Sequence, residues 1–199
     1  MKNNLSKACF ALLMVCVILI GCKKDNEDFG DNTFERTITA KVENGNPGIS
    51  EIRVSIQGED IASCKYINGG FTITLPKTLK KCWKVDDVYS EKYYKGVTFS
   101  DKNAKVADFF AFDCYDSSGE DMWISINYSK EEPDLLTYVE YVYADRDVTI
   151  ICSDENSTNW NLILKKGWNM VYMLEPAVGK IKGTTEGEFT GLKWHCYSY

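Results

Sequence analysis

The sequence predicts an all-β fold: a β-sandwich of about eleven strands, of Ig-like, Greek-key type, with little helix. Three observations carry that prediction. From residue 34 onward, short runs rich in Thr, Val, Ile, Tyr and Phe recur at strand length, several of them with period-two alternation. Clusters of Gly, Asn, Asp and Ser separate those runs. No stretch shows the 3.6-residue apolar period of an amphipathic helix of normal length.

Each element has its own signature. In "FERTITAKVE" (34–43), Ile38, Ala40 and Val42 share one face and Thr37, Thr39 and Lys41 the other. "NGNPG" (44–48) is a turn. "ISEIRVSI" (49–56) puts Ile52, Val54 and Ile56 on one side, and "QGED" then reverses the chain. "IASCKYI" leads through Asn68-Gly69-Gly70 into "FTITLP", which reads as a hairpin with a glycine loop. Residues 76–104 are the least regular, with room for one short helix around 86–94. Strand-length segments resume in "KVADFFAFDCYD" (105–116), "DMWISINYS" (121–129), "LLTYVEYVYA" (135–144) and "DVTIICS" (148–153). "TNWNLILKK" (158–166), "GWNMVYMLE" (167–175) and "TGLKWHCYSY" (190–199) complete the set. Two sheets bury such alternating faces against each other, hence the sandwich. One continuous domain over 34–199 is expected, with a division into two subdomains near 76–104 as the alternative.

The amino terminus reads differently. Residues 1–7 carry Lys2 and Lys7 and no acid, and residues 8–20 ("ACFALLMVCVILI") are 13 consecutive apolar residues. That run is shorter than the roughly 20 residues of a spanning helix and fits a signal peptide over 1–21. Leu19-Ile20-Gly21-Cys22 resembles the lipobox of bacterial lipoproteins. The resemblance implies cleavage before Cys22, a diacylglycerol thioether on its sulfur, and acylation, as by palmitate, of its new amino group. Two or more acyl chains hold a protein durably on a membrane, whereas one does not. Lys24 followed by Asp25, Asn26, Glu27 and Asp28 resembles the export signal of Bacteroidetes lipoproteins. That implies an outer-membrane protein facing the cell exterior, with a periplasm-facing location as the alternative. Residues 22–33 form the lipidated cysteine and a flexible tether. In the folded part, "ITAKVENGN", "NGGFTITLP", "ADRDVTI", "LKKGWNMVYM" and "GLKW" resemble a family of small, uncharacterised Bacteroidetes lipoproteins. That family implies a β-rich fold and no particular activity.

Charge and motifs narrow the function. The chain carries 23 basic and 29 acidic residues, a net −6; loss of residues 1–21 leaves 21 against 29, or −8. An acidic balance gives no footprint for nucleic acid. Cys64, Cys82, Cys114, Cys152 and Cys196 remain after Cys9, Cys16 and Cys22 are set aside. Cys114 (with Phe110 and Phe112), Cys152 and Cys196 read as core positions, and Cys64 with Cys82 is the pair best placed for a disulfide. No CxxC, GxSxG, HExxH or P-loop pattern occurs, so no cofactor and no catalytic residue is assigned. The only histidine, His195, reads as a surface or structural residue. Carboxylates able to serve a histidine-free glycan hydrolase are Glu140, or Asp145 and Asp147 around Arg146, the latter pair reading better as a turn. The acidic loops with Asp154, Glu155 and Asn156, and with Asp116, Glu120 and Asp121, lack EF-hand spacing, and no metal site is assigned.

Aromatic rings are the most suggestive feature. Trp83, Trp123, Trp160, Trp168 and Trp194 accompany 12 Tyr and 9 Phe. Most must fill the core, but Trp160, among Asn and Ser residues, is expected to be exposed, and Trp160 and Trp168 are the candidate ligand-binding rings. The expectation is a lipid-anchored binding, adhesion or structural module with a glycan or protein partner. The alternatives are a carboxylate-dependent glycan hydrolase or a subunit of a surface complex.

Overall fold

A computed structural model of the chain describes residues 36–153 and 158–198, all within one compact unit, Asp31–Tyr199. Residues 1–35, which hold the expected signal peptide, Cys22 and tether, and residues 154–157, with Asp154, Glu155 and Asn156, lie outside the described residues.

The described chain is all-β and sandwich-like. Its strands are β1 (Arg36–Glu43), β2 (Glu51–Ile56), β3 (Glu59–Lys65), β4 (Gly70–Leu75) and β5 (Trp83–Lys84). A four-residue helix, α1 (Val85–Val88), precedes β6 (Thr98–Phe99), β7 (Lys105–Phe109) and β8 (Phe112–Tyr115). Then come β9 (Asp121–Glu132), β10 (Leu135–Ala144), β11 (Val148–Ser153) and β12 (Thr158–Leu164). The last three are β13 (Gly167–Pro176), β14 (Ile181–Thr184) and β15 (Lys193–Ser198). The count is fifteen rather than about eleven for three local reasons. The irregular 76–104 region contributes β5 and β6, the run 105–116 divides into two strands, and β14 inserts between β12 and β13. The helix expected around 86–94 is confined to the single turn of α1, which has no side-chain N-cap bond.

The strands enclose two cores. In the first, Ile38, Ala40 and Val42 of β1, Ile52, Val54 and Ile56 of β2, and Phe71, Ile73 and Leu75 of β4 meet Phe112 and Ile126. Opposite them stand Phe109 of β7, Val139, Tyr141 and Tyr143 of β10, and Trp168 and Met170 of β13. Phe109 stacks on Tyr141 at 5.1 Å and lies edge-on to Phe112 and Trp168. The second core takes the alternate residues of the same central strands: Val106 of β7, Val142 and Ala144 of β10, Val171 and Met173 of β13. Against these pack Val148, Ile150 and Cys152 of β11, Trp160, Leu162 and Leu164 of β12, and Val85, Tyr89 and Val97. β7, β13 and the Tyr141–Ala144 end of β10 are thus covered on both faces. The β10 and β13 sequences accordingly read as largely apolar runs, whereas β1, β2, β11 and β12 alternate.

The structure corrects the reading of two tryptophans. Trp160 is 7% exposed, not a surface ring: Asn159 and Asn161 take the outward positions of β12, and period two turns Trp160 inward. It lies edge-on to Tyr89 and Tyr94 at 5.4 and 5.7 Å. Gly183 permits that fit, since a Cβ there would fall 2.6 Å from the Trp160 ring. Trp168 is 2% exposed, and its indole Nε1 donates to the Pro76 carbonyl at 2.8 Å. Both rings are packed inside the cores rather than presented at the surface. Cys64 and Cys82, the pair best placed for a disulfide, are free thiols, as are Cys114, Cys152 and Cys196. Burial pushes Cys64 up to about 11 and Cys114 up to about 12, so both stay as inert thiols.

Candidate functional site

The place where the sheet divides is where a site forms. β9 and β10 pair only through their hairpin end, from Leu135↔Glu132 to Tyr138↔Ser129. Beyond it they part. The edge of β9 is taken by β8, through Phe112↔Ile126, and the edge of β10 by β7, through Tyr141↔Phe109. The link between those two ladders is Phe110-Ala111, which carries the chain from one branch to the other. A run that reads as one strand in the sequence is therefore broken, and Phe110, expected to share a core face with Phe112 and Cys114, turns outward at 48% exposed.

A cleft of about 550 Å³ opens at this fork. Its lining combines rings (Phe110, Tyr138, Tyr197), hydrogen-bonding groups (Asn127, Ser129, Ser198) and three glutamates (Glu131, Glu140, Glu175), with Leu136 between them. The register explains the arrangement. Leu136 is paired with Glu131 on β9 and with Glu175 on β13, so these three form one row on one face. Tyr138 is paired with Ser129 and Met173 in the next row. Glu140 is paired with Val171 on β13 but has lost β9, because the ladder has already ended. Tyr138 lies edge-on to Phe110 at 6.5 Å, and the Tyr197 hydroxyl hydrogen-bonds to Ser129 Oγ at 3.0 Å.

Electrostatics single out Glu140. It sits on the second-core face of β10, in line with Val142 and Ala144, where an apolar side chain is expected. Burial, and then the Asp108 carboxyl on neighbouring β7, push it up to about 7. Burial also raises Asp108. Among the described residues neither carboxylate has a hydrogen-bond or cation partner, in contrast to Asp145 and Asp147. Asp145 accepts from the Lys105 amide at 2.8 Å and from Arg146 at 3.1 Å; Asp147 accepts from the Lys166 amide and the Lys165 ammonium, both at 2.9 Å. Burial acts against Asp145, but the Arg146 and Lys105 bonds outweigh it and hold it below the usual carboxylate range. The Lys166 amide and then Lys165 do the same for Asp147. The "ADRD" segment is thus a self-satisfied turn, while Glu140 is left for something else.

The remaining candidates are accounted for locally. Asp116 Oδ1 accepts from the Ser118 hydroxyl at 2.7 Å and from the Ser118 and Glu120 amides at 2.8 and 3.0 Å, an Asx-type turn that occupies its own acceptor. No group of three metal-ligating side chains stands together among the described residues. His195 pairs across from Asn127, with its ring 6.2 Å from Tyr197, and neighbouring Cys196 occupies the opposite face of β15. The most exposed tryptophan among the described residues is Trp123, at 74% against 41% for Trp83; its φ of 55° stands beside a register shift, and its amide donates to Asp121 Oδ1 at 2.8 Å. Sequence reading missed Trp123, Phe110 and Asp108. The legible signal was at Glu140, the lone carboxylate inside an aromatic and aliphatic ten-residue run. No protein-family model, no curated protein and no solved structure matches this chain.

Proposed function

We propose that this protein is a lipid-anchored outer-membrane module, held by Cys22 and facing the cell exterior, that binds a glycan in the cleft at the β9–β10 fork. The observation that supports the binding role is the composition of that concavity. Rings that stack on sugar C–H faces stand beside amide, hydroxyl and carboxylate groups that hydrogen-bond to sugar hydroxyls, in a volume suited to a small ligand. The anchor rests on the lipobox-like Leu19-Ile20-Gly21-Cys22 and the acidic tether behind it. A glycan-array screen of the full chain in neutral detergent tests the binding role. A defined set of bound glycans, lost in Tyr138→Ala and kept in Trp123→Ala, is the expected outcome; no bound glycan overturns it. Intact-mass spectrometry of the native protein tests the anchor, which a bare thiol at Cys22 or an uncleaved start overturns.

A second reading has its own support. A carboxyl pushed up to about 7 beside other glutamates in one cleft is the pattern of a glycosidase general acid. Time-dependent release of shorter sugars from a bound oligosaccharide, abolished in Glu140→Gln, would make the protein a hydrolase; stable binding without turnover keeps it a binding module.

A further inference from the structure

The charge of the fork cleft specifies more than the general class of its ligand, given that the cleft is a glycan site. Three of its ten lining residues are glutamates and none is Lys, Arg or His. On the flanking strands Lys130 Nζ bonds to Glu132 at 2.9 Å and Lys193 Nζ to Glu43 at 2.7 Å, while His195 of β15 pairs across from Asn127 and is not part of the lining. Glu131 and Glu175 stand at the rim on either side of Leu136, two strand spacings or roughly 9–10 Å apart at the backbone. Glu140 stands deeper, mostly buried and without a partner among the described residues. A neutral sugar would hydrogen-bond to these carboxylates through its hydroxyls but leave their negative charge uncompensated as water is expelled, which costs free energy. A sulfated or uronic glycan would be repelled outright. A protonated amine meets the opposite situation: it bonds to a carboxylate, and wherever it lies over the face of a lining ring (Phe110, Tyr138 or Tyr197) cation–π attraction adds to the contact.

We propose that the fork cleft is selective for a glycan carrying free amines, of the kind presented by an oligomer of glucosamine, over its neutral N-acetylated counterpart. The two oligomers share a backbone and differ in charge, so the pair isolates the feature in question. The test is isothermal titration of the full chain in neutral detergent, near neutral pH, with a glucosamine tetramer and an N-acetylglucosamine tetramer. The expected result is binding of the glucosamine form at least about tenfold tighter, a difference of about 1.4 kcal/mol. Glu131→Gln with Glu175→Gln, both exposed rim positions, should abolish that preference while the melting temperature stays unchanged. Equal or tighter binding of the acetylated form overturns the amine selectivity and leaves the glycan reading standing. So does tighter binding of a sulfated oligosaccharide. Binding of neither tetramer overturns the selectivity, and with an empty glycan array it overturns the glycan reading as well.

Discussion

The two faces of β10 are built from one ten-residue strand and end in opposite ways. On the first-core face, Val139, Tyr141 and Tyr143 are buried from end to end against Phe109, Trp168 and Met170. On the other, Val142 and Ala144 are equally buried, but the row then gives way to Glu140 and Tyr138 at an open cleft. The backbone is the same for both, so the difference lies in the neighbours. The first face packs against residues of β1, β2, β4 and β8, whereas the second packs against β11 and β12 only at Val142 and Ala144 and opens beyond them, beside the point where β9 and β10 part. An uncovered apolar face would invite association; this one carries a carboxylate and hydroxyls instead. A closed face stabilises the fold, and an open one leaves side chains free to meet a ligand.

The largest effects should come from the rings that close the cores. Trp168→Ala on the first face and Trp160→Ala in the second core should each cost about 3–5 kcal/mol in urea unfolding. Trp123→Ala should change stability by less than about 0.5 kcal/mol, since that side chain is in solvent. A large loss at Trp123 or a small one at Trp160 would reverse the assignment of structural and exposed rings.

Next in size is the pH dependence contributed by Glu140. Its folded carboxyl is raised from 4.5 to about 7, so its share of stability is complete below about pH 4.5 and declines as pH rises to about 7, by roughly 3 kcal/mol. The groups facing it are Asp108 from β7, Tyr138 on β10, and Tyr89 and Tyr94 from the segment packed over the second core. Asp108 is shifted in the same direction and adds to the decline. Glu140→Gln should flatten the urea-midpoint profile over that range. An unchanged profile would mean that Glu140 is hydrated or paired after all.

The turn carboxylates should behave with the opposite sign. Asp145→Ala removes the acceptor for the Lys105 amide and for Arg146, and should destabilise by about 1–2 kcal/mol at neutral pH. Because Asp145 and Asp147 are held below their ordinary range, their contribution is present at neutral pH and is lost as pH falls toward about 4 and below. A gain of under about 1 kcal/mol is expected in Trp123→Gly, where the left-handed backbone no longer carries a side chain; urea unfolding checks it.

Legibility in the sequence divides along the same line between wet and covered faces. Strands with one wet face, such as β1 and β12, announce themselves by alternation, and that alternation also places Trp160 inside once Asn159 and Asn161 are assigned outward. The polar character of its sequence neighbours pointed the wrong way because adjacent residues on a strand face opposite sides. β14 is short and polar and owes its place to pairing with β12 and β13, which no local pattern records. The fork itself was hidden in "FFAF": four apolar residues conceal that the chain leaves β10 and joins β9 between Phe109 and Phe112. Glu140 was visible as an oddity in sequence, but its partnership with Asp108 and the loss of β9 beside it are tertiary facts.

A carbon-13 titration of the Glu140 side-chain carboxyl in the full-length protein tests the central claim most directly. A midpoint near pH 7, falling when Asp108 is replaced by Asn, is the predicted result. A midpoint between about 4 and 5 would show an ordinary hydrated glutamate and contradict the unpartnered carboxyl on which the cleft's chemistry depends.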